Sequence, residues 1–183
     1  MVGVYVTRAV TIVLRPATPA DVPALATLAT EAFLAAFGHL YRPEDIALFL
    51  GEYRTAKAYR DALAVPATRI QLAELDGQLA AYALIVLGDG MDERPEPRPA
   101  RPVFLSQLYC AGEATGHGLG AALMDWVLAE ARAWRADAVQ LSVFSENFGA
   151  QRFYQRYGFG KVADIDFWVG NHRDDEFLYE LEL

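Results

Sequence analysis

A glycine-rich turn between a predicted strand and a predicted helix limits most strongly how this chain can fold. The segment TGHGLGAAL runs from Thr115 to Leu123 and contains Gly116, Gly118 and Gly120. Glycine lets the backbone turn sharply and come close to a ligand. Because a helix begins here, its free N–H groups and its dipole together suit phosphate oxygens. The turn predicts an anion-binding site. The alternative is that these glycines only allow the backbone to turn and bind no ligand.

The same spacing fits the dinucleotide-binding pattern GxGxxA, with Gly116, Gly118 and Ala121 as the turn and Glu146 as the acidic partner. A dinucleotide-binding sheet needs several more strand–helix–strand units after such a turn. The chain has 183 residues, so too little of it remains after Glu146 to supply them. The C-terminal part of the chain suits two antiparallel strands instead, which makes a dinucleotide the weaker interpretation.

Hydrophobic periodicity predicts an α/β protein with a mixed (α+β) sheet and helices on both of its faces. One helix begins after Thr18 as N-cap, and a tight Asp76-Gly77 turn joins two strands into a hairpin. The predicted strands cover 10–15, 68–75, 78–87, 103–110, 138–144, 159–169 and 176–183, and the later helices cover 43–63 with a break near Gly51, 118–134 and 147–157.

Length and charge limit the classes of function. We expect one domain over 1–183, with a flexible, exposed loop at about 88–102 that is rich in proline and charge. The chain has 16 basic and 24 acidic side chains. This balance argues against a nucleic-acid partner, which needs a cationic surface, and it attracts small cations.

Cysteine and histidine usage indicate a cytoplasmic protein without a structural metal. Cys110 is the single cysteine, so no intramolecular disulfide can form. The three histidines are scattered and lack metal-ligand spacing. No uninterrupted apolar run reaches the length of a membrane span, and the N-terminus does not read as a signal peptide. We therefore expect no membrane partner.

Motifs on both sides of the turn carry a resemblance to a known family. The strand before the turn ends in Leu108, Tyr109 and Cys110, and the last predicted helix region contains Asn147, Ala150, Phe153, Tyr154, Gly158 and Phe159 in a characteristic register. With these motifs the chain resembles the GCN5-related N-acetyltransferase (GNAT) superfamily. The segment FGHLYRPEDIALFL is faintly similar to a bacterial branch that includes polyamine acetyltransferases. The resemblance implies a central sheet of about six or seven strands flanked by about four helices.

The resemblance implies acetyl-coenzyme A as co-substrate, without a metal. The strand end 108–110 would bind the pantetheine amides and the turn would bind the pyrophosphate. Thr115 stands where the family usually has Gln or Arg, which removes one contact near the phosphates. The residues expected to bind coenzyme A are Leu108, Tyr109, Cys110, Thr115, Gly116, His117, Gly118, Leu119, Gly120, Ala121, Asn147, Phe153 and Arg156. Arg156 fits a solvated basic face equally well.

Tyr154 is the candidate catalytic residue. The resemblance implies direct attack of an amine on the thioester in a ternary complex, with this tyrosine beside the departing sulfur. A phenol has a pKa of about 10 and a thiol about 8.5. A hydrogen bond donated to the developing thiolate is therefore favoured over full proton transfer. A tyrosine that only packs in the core is the alternative.

The sequence specifies the residues that bind and deprotonate the acceptor amine less closely than those that bind coenzyme A. An alkylamine with a pKa near 10.4 must lose a proton. Many relatives carry a Glu near Ser106 or Gln107, which this chain lacks, so the candidate bases are a bound water or one of an unranked set. That set contains Glu31, His39 and Glu146. Candidate substrate contacts are Phe37, Tyr41 and Gln107.

Charge and aromatic content favour a small amine or polyamine as the acceptor. Two other functions stay open: an acetyltransferase for protein or peptide amines, and a non-catalytic acyl-coenzyme-A-binding regulatory module. The expected partner is a small-molecule amine, and a homodimer is left open.

Overall fold

A computed structural model describes residues 10–183, and in this part of the chain seven strands form a single mixed sheet. The order across the sheet is β1-β2-β3-β4-β5-β7-β6, with β4 and β5 as the parallel pair. This arrangement agrees with the expected GNAT-like sheet. The strands are β1 (Ile12–Pro16), β2 (Thr68–Leu75), β3 (Gln78–Leu87), β4 (Pro102–Cys110), β5 (Ala138–Phe144), β6 (Gly160–Val169) and β7 (His172–Glu182).

Helices cover both faces of the sheet. They are α1 (Val22–Phe37), α2 (Pro43–Tyr53), α3 (Ala56–Ala64), α4 (Leu119–Ala133) and α5 (Phe148–Arg156). The helical region predicted over 43–63 is indeed two helices. However, the break lies at Arg54 and Thr55 rather than near Gly51, because the Thr55 hydroxyl accepts a hydrogen bond from the Ala58 amide and caps α3. Gly51 stays inside α2.

The start of one helix and the start of one strand differ most from the sequence predictions. Thr18 caps a short 3-10 turn, Pro19–Asp21, and α1 begins only at Val22. Strand β7 begins at His172, four residues before the predicted start. His172 pairs with Val169 across the β6–β7 hairpin and is thus a strand residue, not a turn residue. Cross-strand pairing, which is invisible in local sequence, lengthens the strand.

Helix α1 is apolar enough to resemble a membrane span. The stretch Pro19–Phe37 has 19 residues and a mean hydropathy of 1.3, although Asp21 and Glu31 interrupt it. In the structure its apolar side packs into the protein: Leu25 is completely buried beside Leu72 of β2 and Tyr82 of β3. Its composition is therefore that of a core helix.

The segment between β3 and β4 lies on the surface without helix or strand, yet it is tied to the sheet. The Arg94 guanidinium donates hydrogen bonds of 2.8 and 3.0 Å to Glu180 on β7. The Met91 amide donates to Gln140 on β5 at 2.8 Å, and the Gln140 amide donates to Glu180 at 2.7 Å. These contacts supply hydrogen-bond partners to the side chains of Gln140 and Glu180, which are buried in the sheet.

Helix α2 packs closely against the β6–β7 hairpin at a glycine. Gly170 has a φ of 59°, and a Cβ built on it would lie 2.6 Å from Asp45 Cα and 2.7 Å from the Asp45 carbonyl oxygen. The Asp45 carboxylate accepts a hydrogen bond of 2.8 Å from the Asn171 amide. Backbone approaches backbone here, so a side chain at residue 170 cannot be accommodated by rotating away.

We expect Gly170→Ala to lower the free energy of unfolding by about 3 kcal/mol, because overpacking and a positive φ each cost about 1–2 kcal/mol. Urea unfolding measures the change. Gly77→Ala is the matched control: Gly77 has a φ of 81° with no atom within 4 Å of a built Cβ, so it isolates the cost of the backbone angle. Equal losses in the two variants would contradict the close-approach argument.

Candidate active site

Strands β4 and β5 separate in the middle of the sheet. They pair only at Pro102–Ala138, Val103–Val139 and Phe104–Gln140, and no later residue of either strand pairs with the other within the described chain. The register of β3 against β4 also shifts beside Ser106, which leaves this residue as a bulge. Bulges increase local twist and redirect a strand. The result is an opening between two parallel strands whose facing main-chain groups beyond Phe104 do not bond each other.

A cavity of about 280 Å³ occupies this opening. Both separated strands line it, together with α1, the region around the end of α2, α5, β6 and β7. The lining residues include Ala32, Phe33, Phe37, Tyr41, Phe49, Arg54, Gln107, Leu108, Tyr109, Cys110, Thr115, Ser142, Phe144, Asn147, Tyr154, Phe167 and Glu176. The side chains of β4 alternate: Leu108 packs toward α4, and Tyr109 packs toward α1. One cavity thus connects the two sides of the sheet.

The glycine-rich turn lies beside the end of β4 and opens α4. Gly116 and Gly118 have φ values of 83° and 87°, and Gly118 is the N-cap. The first helical bond is the 3.0 Å bond from the Ala122 amide to the Gly118 carbonyl, so the three amides before it have no carbonyl one turn earlier. A Cβ on Gly120 would lie 3.8 Å from Phe153 and 4.0 Å from Cys110 Sγ. These free amides therefore lie next to the separated strands.

We expect Gly118→Ala to raise the Kd for coenzyme A by about tenfold. A side chain at this φ costs about 1–2 kcal/mol. The turn would relax in the free protein, and binding would have to restore it. Isothermal titration calorimetry measures the change. Gly112→Ala is the control, because Gly112 lacks a positive φ and has no atom within 4 Å of a built Cβ. An unchanged Kd for Gly118→Ala would argue against a role of this turn in binding.

The residues predicted to bind coenzyme A fall into two groups. Five of them line the cavity: Leu108, Tyr109, Cys110, Thr115 and Asn147. The others form the turn and its support outside the lining: Gly116, His117, Gly118, Leu119, Gly120, Ala121, Phe153 and Arg156.

Several of these side chains already have partners in the protein. The Thr115 hydroxyl donates to the Gly112 carbonyl at 2.8 Å, and the Asn147 side chain caps α5 by accepting from the Ala150 amide at 3.0 Å. The Leu119 side chain is buried in the core, which leaves only its main chain for a ligand. The Arg156 guanidinium is exposed and stacks over Phe153. Main-chain groups thus dominate this side of the site.

Tyr154 lies where the cavity meets helix α5. Its ring packs edge-on against Phe153 and Phe159, with centroid distances of 5.3 and 5.9 Å. Burial raises the pKa of the Tyr154 phenol well above its usual value of 10. The hydroxyl therefore stays protonated at all ordinary pH values and can only donate its proton or share it in a hydrogen bond.

On the opposite side, the predicted substrate contacts Phe37, Tyr41 and Gln107 all line the cavity. The Tyr41 hydroxyl is already occupied by a hydrogen bond to Asp174. The Gln107 carbonyl oxygen accepts bonds of 2.8 Å from two buried tyrosine hydroxyls, Tyr59 and Tyr82. Gln107 and Tyr41 are consequently fixed wall residues, and Phe37 supplies apolar surface.

Glu176 is a cavity residue that sequence reasoning missed. It lies on β7 directly opposite Phe144 of β5, and its Oε2 atom is buried without a hydrogen-bond partner. Burial raises the pKa of the Glu176 carboxyl to about 7; the Ser142 hydroxyl lowers it, and the nearby Asp174 charge raises it further. Glu176 can therefore exchange a proton near neutral pH.

Arg54 is the second missed residue. It comes directly after α2 at the helix break, is only 8% exposed and lines the same cavity. Its guanidinium carbon lies 5.2 Å from the Phe49 ring centroid and 5.6 Å from that of Tyr109. In the sequence, an arginine inside the helical region predicted over 43–63 resembles an ordinary surface residue, and only the packing of α2 brings it inside.

The three base candidates from the sequence lie elsewhere. Glu31, His39 and Glu146 are all exposed, and none lines the cavity. They are unsuited to receive a proton inside it, because a base must lie within hydrogen-bond reach of its donor. Across residues 10–183, no group of three or more His, Cys, Asp or Glu side chains is arranged to hold a metal ion.

Together, the separated parallel strands, the free amides at the α4 start and the tyrosine in the shared cavity define a class of protein. Main-chain groups of β4 can pair with an extended amide-bearing arm, and the turn suits a diphosphate. Coenzyme A has both parts. The arrangement is that of an acyl-coenzyme-A-dependent N-acyltransferase.

Comparison with known proteins supports this class. The model of the acetyltransferase (GNAT) family matches residues 25–159. An uncharacterized N-acetyltransferase of Mycobacterium tuberculosis is 34% identical over 163 residues, which cover 89% of this chain and 98% of that protein. The chain therefore belongs to the GNAT family and is an acetyl-CoA-dependent N-acetyltransferase.

Solved structures share the fold at low sequence identity. The PaiA N-acetyltransferase of Thermoplasma acidophilum, in complex with coenzyme A, is 18% identical with a TM-score of 0.76 and covers 94% of this chain and 99% of its own. YncA of Salmonella typhimurium, with its cofactor acetyl-CoA, is 20% identical with a TM-score of 0.68 and covers 94% of both chains. At these identities the likeness concerns the fold.

Proposed function

We propose that this enzyme acetylates a small primary amine by direct attack on the thioester in a ternary complex. One observation carries the proposal: a single cavity is lined by Tyr154 beside the predicted coenzyme A residues and by Glu176, whose carboxyl has a pKa of about 7. A hydrogen-bond donor for the leaving group and a proton acceptor for the attacking group thus lie in one cavity.

Glu176 supplies the base for the amine. An alkylammonium ion has a pKa of about 10.4 and cannot attack until it loses a proton. A base is most efficient when its own pKa lies near the working pH. Glu176 meets this condition, and its unpartnered Oε2 atom is free to accept the proton. No other carboxylate lines the cavity within residues 10–183.

Tyr154 assists the departure of the thiolate. Burial keeps its phenol protonated, so the hydroxyl can donate a hydrogen bond as negative charge develops on sulfur. Full proton transfer from a phenol to a thiolate is uphill, and a donated hydrogen bond avoids that cost. Tyr154 therefore acts by stabilising charge.

The main chain holds the co-substrate, which supplies the activated acetyl group. The backbone of Leu108 to Cys110 faces the opening between β4 and β5 and would bond the pantetheine amides. The free amides at the start of α4 would hold the diphosphate, where the helix dipole favours negative charge. Thr115 and Asn147 contribute shape here rather than charge, because their side chains bond their own loops.

The size and charge of the cavity favour a small acceptor. About 280 Å³ must contain both the thioester end and the acceptor, and typical ligand pockets span about 300–1,000 Å³. Phe37 and Tyr41 close one side. Among small amines, a polyamine is disfavoured because Arg54 places a positive charge in the same cavity.

Two measurements on the purified protein test the proposal. We expect a set of small primary amines incubated with acetyl-CoA to yield at least one product heavier by an acetyl group, with one free thiol released per product. Thiol release without the amine measures hydrolysis and is the control. Acetylation of peptide N-termini alone would overturn the small-amine assignment, and coenzyme A binding without any transfer would indicate the regulatory alternative.

A further inference from the structure

Within the described residues 10–183, the positive charge of Arg54 has no anionic partner. The residue is 8% exposed, and within residues 10–183 it forms no ion pair with a carboxylate. Its hydrogen bond from Nη1 to the Tyr53 carbonyl is long, at 3.3 Å, and its buried Nε has no partner. Most of the donor capacity of this guanidinium is therefore unused at the wall of the cavity.

A buried, unpaired charge is costly, and aromatic faces compensate for it only in part. The rings of Phe33, Phe49 and Tyr109 surround the guanidinium at 5.2 to 6.0 Å, but none of them carries a negative charge, since burial raises the pKa of the Tyr109 phenol. A planar guanidinium with free N–H groups matches a carboxylate, which accepts two parallel hydrogen bonds. The surroundings of Arg54 thus lack one component, an anion.

The phosphates of coenzyme A are unsuited to be that anion. The glycine-rich turn packs against Phe153 on the α4 and α5 side of the sheet, whereas Arg54 packs among the aromatic rings under α1 and α2. A phosphate monoester on the acceptor is also a poor match, because it carries nearly two charges and Arg54 is the single cation among the lining residues. A carboxylate on the acceptor fits both the charge and the shape.

Glu176 lines the same cavity, and its Oε2 atom likewise has no partner. The cavity therefore presents one unpaired cation and one unpaired proton acceptor to whatever enters it. We infer that the acceptor is a small amino acid, with Arg54 binding its carboxylate and Glu176 receiving the proton of its amine. This inference rests on the proposed small-amine acetyltransferase activity.

The reaction balances with the groups present. An acceptor that enters as an ammonium ion gives up two protons in all. Glu176 takes the first before the attack and releases it to solvent, and it takes the second from the nitrogen as the new amide bond replaces the thioester bond. The thiolate leaves against the Tyr154 hydroxyl. The second proton held by Glu176 passes to solvent or to the departing thiolate, which becomes the thiol. Arg54 takes no part in the bond changes. It is a positioning residue that fixes the distance between carboxylate and amine.

Matched acceptors test the inference. Phenylalanine, its amide and phenylethylamine differ only at the carboxylate, and leucine, leucinamide and isopentylamine form a second such set. We expect the wild-type enzyme to show a kcat/KM about a hundredfold higher for one of the acids than for its amide or decarboxylated partner. A lost charge-assisted hydrogen-bond pair has an effect of this size.

The variant Arg54→Gln should reduce that preference about a hundredfold, mainly through KM, and Arg54→Lys should restore part of it because it keeps the charge but not the fork. Melting temperature and Kd for coenzyme A report whether the variants stay folded. If neither variant folds, the inference is tested by the preference of the wild-type enzyme for the acids over their amides and decarboxylated partners.

A wild-type preference for the decarboxylated amines, or an unchanged preference in a folded Arg54→Gln protein, would overturn the inference. Either result leaves the proposed acetylation of small amines intact. If instead the wild-type enzyme acetylates no small amine of any kind, the proposed function itself fails. The two failures are therefore distinguishable.

Discussion

Replacing Glu176 by Gln is expected to lower kcat/KM for the amine by at least about a hundredfold, the lower range of the effect of a general base. Gln keeps the size and the polar surface of the side chain, so the cavity and the β5–β7 pairing remain. The Gln side chain cannot, however, accept a proton from the amine. Initial rates with saturating acetyl-CoA and varied amine measure the loss.

The pH dependence separates this role from a structural one. The Glu176 carboxyl has a pKa of about 7, so the wild-type rate should rise with pH until the carboxyl is ionised. Glu176→Gln should lack this step and keep only the gradual rise that comes from titration of the amine itself. Glu182→Gln makes the same chemical change on the same strand at an exposed residue and should behave as wild type.

The pH dependence of the free energy of unfolding tests the ionisation of Glu176 independently of the reaction rate. Its folded pKa of about 7 is raised above the ordinary value of 4.5. Glu176 therefore contributes stability, relative to Gln, that is fully present below about pH 4.5 and is lost as pH rises through about 7. The loss amounts to about 3 kcal/mol. Urea unfolding of both proteins at pH 5 and pH 8 measures it, and parallel curves would show that the carboxyl is not buried as described.

Local signals in the sequence were sufficient for most of the fold. Asp76-Gly77 joins β2 and β3 as expected, and Gly77 has the positive φ that such a turn needs. The glycine-rich turn opens a helix directly after a strand, and Gly116 and Gly118 within it adopt positive φ. These features are encoded by a few adjacent residues, and therefore a single sequence suffices to predict them.

The missed site residues depend on long-range pairing. Glu176 enters the cavity because β7 inserts between β5 and β6 and lies opposite Phe144, a register that no local pattern specifies. Arg54 enters because the helix breaks there and α2 packs toward β6. A charged residue in a predicted strand or between helices is usually solvated. Tertiary packing alone distinguishes these two from the exposed Glu31, His39 and Glu146.

Replacing Tyr154 by Phe is expected to lower kcat by about a hundredfold, with little change in the Kd for coenzyme A. Loss of one preorganised donor to developing charge has an effect of this size. The ring keeps its contacts with Phe153 and Phe159, so packing is preserved. Because burial raises the pKa of Tyr154 well above 10, the loss should be constant between about pH 6 and pH 9. Single-turnover rates of thiol release at saturating substrates measure it.

Tyr157→Phe is the matched control for this prediction. It removes the same oxygen one turn further along, where the hydroxyl donates to the Ala121 carbonyl at 3.3 Å outside the cavity lining. Its kcat should stay within about threefold of wild type, since an exposed or partly buried neutral hydrogen bond contributes only modestly. If Tyr154→Phe behaves like this control, Tyr154 is a packing residue and the leaving thiolate is stabilised by another group. If it instead loses activity but keeps the pH step near 7 that Glu176→Gln lacks, the two residues act on opposite ends of the transferred acetyl group.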